Sequence, residues 1–561
     1  MTSLRSTRPP GMHALTETVA PSAADMEDSK LITGGRLLAK ALKNEGVDVI
    51  FTSCGGEIID VCKSCIEEGI RIIDARKAQV AALAADGYFR MTGKTGCAVV
   101  DVGSGTIAAI TGIADALVEE SAVLLVGLRS DDQRMGMLGG LPVLRPLTKF
   151  ADTVSSTDRV AELAGAAFRE CYNGAPGPAY LEIPVDVLIG SVVAAAAHVP
   201  AAGKYPVTTK TSGRPEDIEA LAALIVGSER PCVLFGSQVW TCRASETAVE
   251  FCREVNLPGY PSGAARGAFR SGDPHGFRHT LGHALSRADL IVEFGLPFDF
   301  PIGYGDSLPS GVDLVQVNLA PTTMGRDRNV TVRIGGDVGR VMRDVLQTFG
   351  HVEDYGFQVR SPWLEELRGL EQKAIEALAP KLRSGSTPIH PLRLAYELNE
   401  FITQNTIFIR DSGDVLNFAG DVIEPKAPGQ WMDAGPFGIP DVATPFAIAA
   451  KLAHPDKEVL CLFSDGAFSL TSWDFKTCVA LGTPFLGVIA TRSPIDQIPH
   501  GTRVSEIASK LSSMPYGEFA RMLGGYGEEV RDPDQIQPAL RRARESGKCA
   551  LINVWIDPDA D

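Results

Sequence analysis

Helix-period and strand-period segments alternate along this chain three times over, and that rhythm constrains its fold more than any other feature. In the first stretch, Gly34–Glu45 carries Leu37, Leu38, Ala41 and Leu42 on one helical face, followed by a short apolar strand at Val47–Phe51. Helix Ala78–Arg90, strand Gly96–Val102, helix Ala108–Leu117 and strand Ala122–Gly127 continue the pattern to a closing strand at Ala179–Ile183. A second stretch reads as helix Pro215–Val226, strands Cys232–Gly236, Ala288–Gly295 and Val312–Leu319, and a helix near Gly339–Phe349. A loop around Asp354–Pro362 then leads to strands at Thr406–Arg410, Glu458–Phe463, Phe485–Ala490 and Ala550–Ile556. Strands separated by helices are joined by crossovers, so the fold class is α/β with parallel sheets. The expected organisation is a flexible polar tail at 1–30, a domain at 31–190, a linker at 191–213, a domain at 214–352 and a domain at 353–561.

Charge narrows the partners. The formal net charge is −16, so phosphate backbones and anionic membrane surfaces are repelled, and neither nucleic acid nor a membrane is expected as partner. A phosphate-bearing ligand therefore needs a local positive feature. The 11 cysteines, an odd number in a long chain, read as reduced thiols in a cytoplasmic protein. Cys62 and Cys65 form a C-x-x-C with no second pair to complete a zinc site, so they read as thiols on an amphipathic helix. Residues 1–30 lack the apolar core of a secretory signal.

Five segments, in order, resemble the thiamine-diphosphate enzymes of the acetolactate synthase, pyruvate oxidase and 2-hydroxyacyl-CoA lyase type. They are RKAQVAALAADGYFRMTG (Arg76–Gly93), GAPGPAYLEIPVD (Gly174–Asp186), GAARG with ADLIVEFGLPFDFPIGYG (Gly263–Gly267 and Ala288–Gly305), DSGD with GQWMDAGPFG (Asp411–Asp414 and Gly429–Gly438), and CLFSDGAFSLTSWDF (Cys461–Phe475). The resemblance implies three doubly wound parallel-sheet domains: pyrimidine-binding type, central and diphosphate-binding type. It also implies an active site between the first domain of one subunit and the third of another, hence a homodimer or homotetramer.

The chain departs from the family where the cofactor would sit. Ala78 stands where most members carry a glutamate that hydrogen-bonds the cofactor's pyrimidine, with Lys77 before it. Asp465 keeps one metal-ligand position, but Arg492 falls where the resemblance places an asparagine ligand, and a guanidinium has no lone pair to give magnesium. Ile439-Pro440-Asp441-Val442-Ala443 puts bulk and a negative charge where the family has small residues, and Gly103-Ser104-Gly105-Thr106-Ile107-Ala108 lacks the family's asparagine. These departures give the expectation that thiamine diphosphate with magnesium is not used in standard form.

Three readings stay open. In one, the pocket is repurposed for a small anionic 2-oxo acid or acyl substrate, with Arg76, Lys77 and Arg492 supplying positive charge and Asp465, Asp496 or His500 moving protons; Lys77, if buried beside Arg76, would be an imine-forming amine. In the second, thiamine diphosphate binds and Arg492 replaces the metal. In the third, the chain is a non-catalytic scaffold or partner subunit. Expected cofactor contacts are Gly103, Gly105, Gly438, Asp465, Gly466, Arg492 and, for FAD or an ADP-type nucleotide in the central domain, Arg266. Asp465 is alternatively the cap of a helix beginning near Ser469–Ser472, or the salt-bridge partner of Arg492.

Overall fold

A computed structural model of the chain describes residues 31–130, 140–201, 210–296, 308–325, 329–350, 357–413, 417–491, 514–557 and 560. The expected tail at 1–30 and the positions Arg492, Asp496 and His500 lie outside them.

Each apolar run became a strand in one of three parallel sheets. The first sheet comprises β2 (Val49–Thr52), β3 (Arg71–Asp74), β4 (Gly96–Val100), β5 (Val123–Arg129), β6 (Phe150–Thr153) and β7 (Ala179–Pro184), in the order β3-β2-β4-β5-β7-β6. The second comprises β9 (Pro231–Phe235), β10 (Gly259–Pro261), β11 (Leu290–Phe294), β12 (Asp313–Asn318) and β13 (Val332–Gly335), in the order β10-β9-β11-β12-β13. The third comprises β14 (Thr406–Arg410), β15 (Trp431–Asp433), β16 (Glu458–Ser464), β17 (Leu486–Thr491), β18 (Tyr526–Val530) and β19 (Ala550–Trp555), in the order β15-β14-β16-β17-β19-β18. The central strands are buried on both faces by flanking helices, which is why they read as continuous apolar runs. Strand β1 (Leu31–Thr33) pairs antiparallel with β8 (Ser191–Val193), at the start of the expected linker.

Two local expectations change. The loop expected around Asp354–Pro362 instead leads, within the described residues, through a 3-10 turn at Phe357–Arg360 into a helix at Ser361–Leu382. Pro362 sits in its first turn, where a missing N–H costs nothing, so the proline that reads as loop opens a helix. The helix expected at Ala108–Leu117 is two, Ser104–Ala108 and Ile110–Val118.

In each sheet the chain runs outward one way, then returns to build the other way. The reversal in the third sheet falls between β14 and β16, and in the first between β2 and β4. Loops leaving neighbouring strands there diverge and open a crevice at the strands' carboxyl ends, the usual ligand position in such sheets.

The first and third domains share one apolar core along helices Ala78–Thr92 and Ala443–Ala453. A β-carbon on Gly87 would lie 2.8 Å from Phe446 Cδ1 and 3.1 Å from Ala449 Cβ, so glycine permits the close crossing. Arg90 ties all three domains. Its guanidinium meets Asp86, Asp115 and Glu119 at 2.6, 2.9 and 3.3 Å and donates to Asp433 O, and its carbonyl accepts from Trp240 Nε1 of the central domain.

Candidate active site

The crevice of the third sheet is built from the ends of β14 and β16. After β14 the chain turns through Asp411-Ser412-Gly413. After β16, Ser464 caps the helix Asp465–Thr471 by accepting from Ala467 N. The two turns are stitched together: Ser464 Oγ donates to Ser412 O at 3.2 Å, and Ser412 Oγ donates to Gly438 O at 2.8 Å. Among the described residues, Gly438 and Gly466 have no heavy atom within 4 Å of where a β-carbon would be. Asp465 is the first residue of its helix and not the cap, which corrects the capping expectation. Tyr516 Oη donates to Asp465 O at 3.2 Å and braces it from behind. Losing that bond in Tyr516→Phe is expected to weaken any ligand held by Asp465 by roughly three- to tenfold, read by calorimetry, at little cost in folding.

A second group lies where the two domains meet. The Asp411 carboxylate accepts from the backbone N–H groups of Ser412, Asp441 and Ala443 at 2.7, 2.9 and 3.1 Å, capping the Ala443–Ala453 helix. Burial raises its pKa to about 6 against those bonds. Asp441 is 5% exposed and accepts from Gln79 Nε2 at 2.9 Å. Burial, then the charge of Asp411, pushes it up to about 7. Asp474, buried, accepts from Arg76 N at 2.9 Å, and burial raises it as well.

The structure thus brings Arg76 and Lys77 of the first domain against the third. Lys77 Nζ donates to Leu470 O at 3.1 Å, five residues along the helix that Asp465 begins, roughly 7 Å of axial rise. The burial expected for an imine-forming Lys77 is not there: its side chain is exposed. Arg76 is also exposed and pairs with Asp74 at 2.6 Å. Gly103 and Gly105 follow β4 at the reversal of the first sheet, with open space over Gly103. Among the described residues no hydrogen bond joins them to the third sheet. Arg266 lies elsewhere, donating to Gly420 O at 2.7 Å and covering the Trp431 ring, and so seals the central domain onto the third. At the reversal of the central sheet, Gln238 is buried and donates to Glu120 and Asn318. Gln79, Asp411 and Asp474 lie within the quoted motifs, but their contacts with Asp441, Ala443 and Arg76 join residues distant in sequence. Cys62 and Cys65 are buried on the Ile58–Glu67 helix, as read.

Comparison with known proteins shows the family of the chain. Residues 32–143 match the thiamine pyrophosphate enzyme N-terminal TPP binding domain, 218–345 the central domain and 411–554 the C-terminal TPP binding domain. The chain is 29% identical to the acetolactate synthase large subunit IlvG of Mycobacterium tuberculosis, over 96% of this chain and 98% of that protein. It is 28% identical to human 2-hydroxyacyl-CoA lyase 2, over 93% and 90%, and 27% identical to a probable acetolactate synthase large subunit of Methanocaldococcus jannaschii, over 94% and 92%. These matches overturn the expectation that thiamine diphosphate is not used in standard form and point to it as the cofactor: two of the three matched regions are TPP binding domains. The departures at Ala78 and Arg492 leave Asp465 and Gly466 in place at the sheet reversal. With all three domains matched in order, the chain belongs to the thiamine pyrophosphate enzyme family.

Proposed function

We propose that this protein is a thiamine-diphosphate-dependent lyase or carboligase that makes or breaks a carbon–carbon bond next to the carbonyl of a 2-oxo acid or a 2-hydroxyacyl thioester. The observation that carries the reading is the open cradle at the β14/β16 reversal, faced by Arg76 and Lys77 of the first domain. The residues fit the cofactor. Asp465 offers the hard oxygen that magnesium prefers, and Gly438 and Gly466 leave the space a diphosphate needs. Bound there, thiamine diphosphate supplies a nucleophilic carbon able to hold the electron pair of a broken carbon–carbon bond.

The chain's own residues then divide the work. Asp465 would hold the metal-bound diphosphate end, with Tyr516 bonded to its carbonyl and Ser464 capping its helix. Lys77 and Arg76 give an acidic chain its local positive charge, and attract the carboxylate or thioester oxygen of the substrate. The shared apolar core of the Ala78–Thr92 and Ala443–Ala453 helices excludes water from behind the site. A homodimer or homotetramer belongs to the same reading.

Two substrate classes separate the outcomes. With thiamine diphosphate and magnesium, pyruvate consumed to a coupled hydroxy acid supports the carboligase form. An aldehyde released from a 2-hydroxyacyl-CoA, as its C1–C2 bond breaks, supports the lyase form. Turnover of neither class overturns the proposal and favours a non-catalytic partner subunit.

A further inference from the structure

Asp441 is the one acidic group of the cleft whose position has no explanation in packing or capping. Its backbone lies at φ 81°, a left-handed conformation in which a residue with a β-carbon is strained. It is 5% exposed, and its Oδ1 is buried with no hydrogen-bond partner, while Oδ2 is held by Gln79. A strained backbone and an unpartnered buried oxygen are two separate costs at one residue. Both lie where the helix Ala78–Thr92 meets the loop leading into Ala443–Ala453.

The charged surroundings are few. Asp411, at the end of β14, accepts the Asp441 N–H, so two carboxyl groups stand side by side. Lys77, just before the Ala78–Thr92 helix, is the cation whose charge reaches Asp441, and it is shared with the Leu470 carbonyl. Asp474 faces Arg76 rather than Asp441. An ionised Oδ1 here has no donor and a carboxylate neighbour. A protonated one carries no charge against the carboxyl group of Asp411.

We propose that Asp441 is the proton-holding group of this cleft, ionised in part when the cleft is open and taking up one proton when thiamine diphosphate closes it. The ligand excludes the remaining water of the cleft and brings phosphate negative charge toward the Asp411–Asp441 pair, so both effects favour the acid. The inference rests on the cofactor reading above, and its burial-raised pKa near 7 places the exchange in the neutral range.

Calorimetric titration of thiamine diphosphate with magnesium, in two buffers of different ionisation enthalpy at pH 8, counts the protons taken up per binding event. The wild-type chain is expected to take up close to one proton more than Asp441→Asn, which tolerates the same φ and keeps an oxygen for Gln79. Asp441→Gly, which relieves the backbone strain, is expected to match Asp441→Asn and serves if the first variant folds poorly. Equal proton counts in wild type and both variants overturn the role of Asp441. An absence of binding heat in the wild type overturns the cofactor reading instead, and the proposal with it.

Discussion

Asp465→Ala is expected to weaken thiamine diphosphate binding in the presence of magnesium at least ~100-fold, or about 2.8 kcal/mol, and to remove turnover in proportion. The carboxylate begins the helix after β16 but does not cap it; Ser464 does. Its loss removes the modest attraction of an acid for a helix N-terminus, ~0.3–1 kcal/mol of folding stability, and the bond that its Oδ1 accepts from Gly466 N–H at 2.8 Å. Affinity and stability part company in this variant. Calorimetry should show the affinity collapse, while denaturant unfolding should shift little. A variant with normal cofactor affinity would place the diphosphate somewhere other than the Ser464–Gly466 cradle.

Arg90→Met is expected to cost ~3–5 kcal/mol of stability near neutral pH, enough to unfold many domains. Methionine restores the volume but leaves Asp86, Asp115 and Glu119 buried without their cation. It also removes the contact of the guanidinium with the Phe446 ring, 4.8 Å from its centre. The loss should depend on pH. Burial already raises Glu119 to about 7 with Arg90 in place. For a carboxyl group whose folded pKa lies above its unfolded value, the penalty is full above the folded pKa and fades as pH falls toward the unfolded one. The deficit of Arg90→Met should thus be largest above pH 7 and shrink toward pH 5. Urea unfolding at several pH values measures it. A deficit that grows on acidification would mean the cluster is not the source.

Much of this architecture is legible in the sequence because of where each strand lies. Central strands such as β5, β14, β16 and β17 are buried on both faces and read as unbroken apolar runs. Edge strands such as β3 and β6 are short and partly exposed, so Arg71–Asp74 and Phe150–Thr153 carry no such run. The helix at Ser361–Leu382 hides behind Pro362, which marks a loop equally well from sequence.

The site divides in the same way. Asp465, Gly466 and Gly438 announce themselves by motif, and Asp441 stands out as a charge where the family has small residues. That Asp441 sits at positive φ against Gln79 follows only from the crossing of two helices more than 350 positions apart in the chain. The substitutions at Ala78 and Arg492 read as loss of the cofactor because sequence weighs each ligand separately. The open crevice at the sheet reversal comes from the topology and persists when single side chains change.

The central claim is that thiamine diphosphate lies across this crevice, its diphosphate end on the third sheet and its other end toward the first. A crystal structure grown with thiamine diphosphate and magnesium tests it most directly. The account predicts diphosphate on the Ser464-Asp465-Gly466 turn, a metal ion on the Asp465 carboxylate, and the ring end on the side of Asp441. An empty crevice at saturating cofactor, or cofactor bound elsewhere on the molecule, would contradict it.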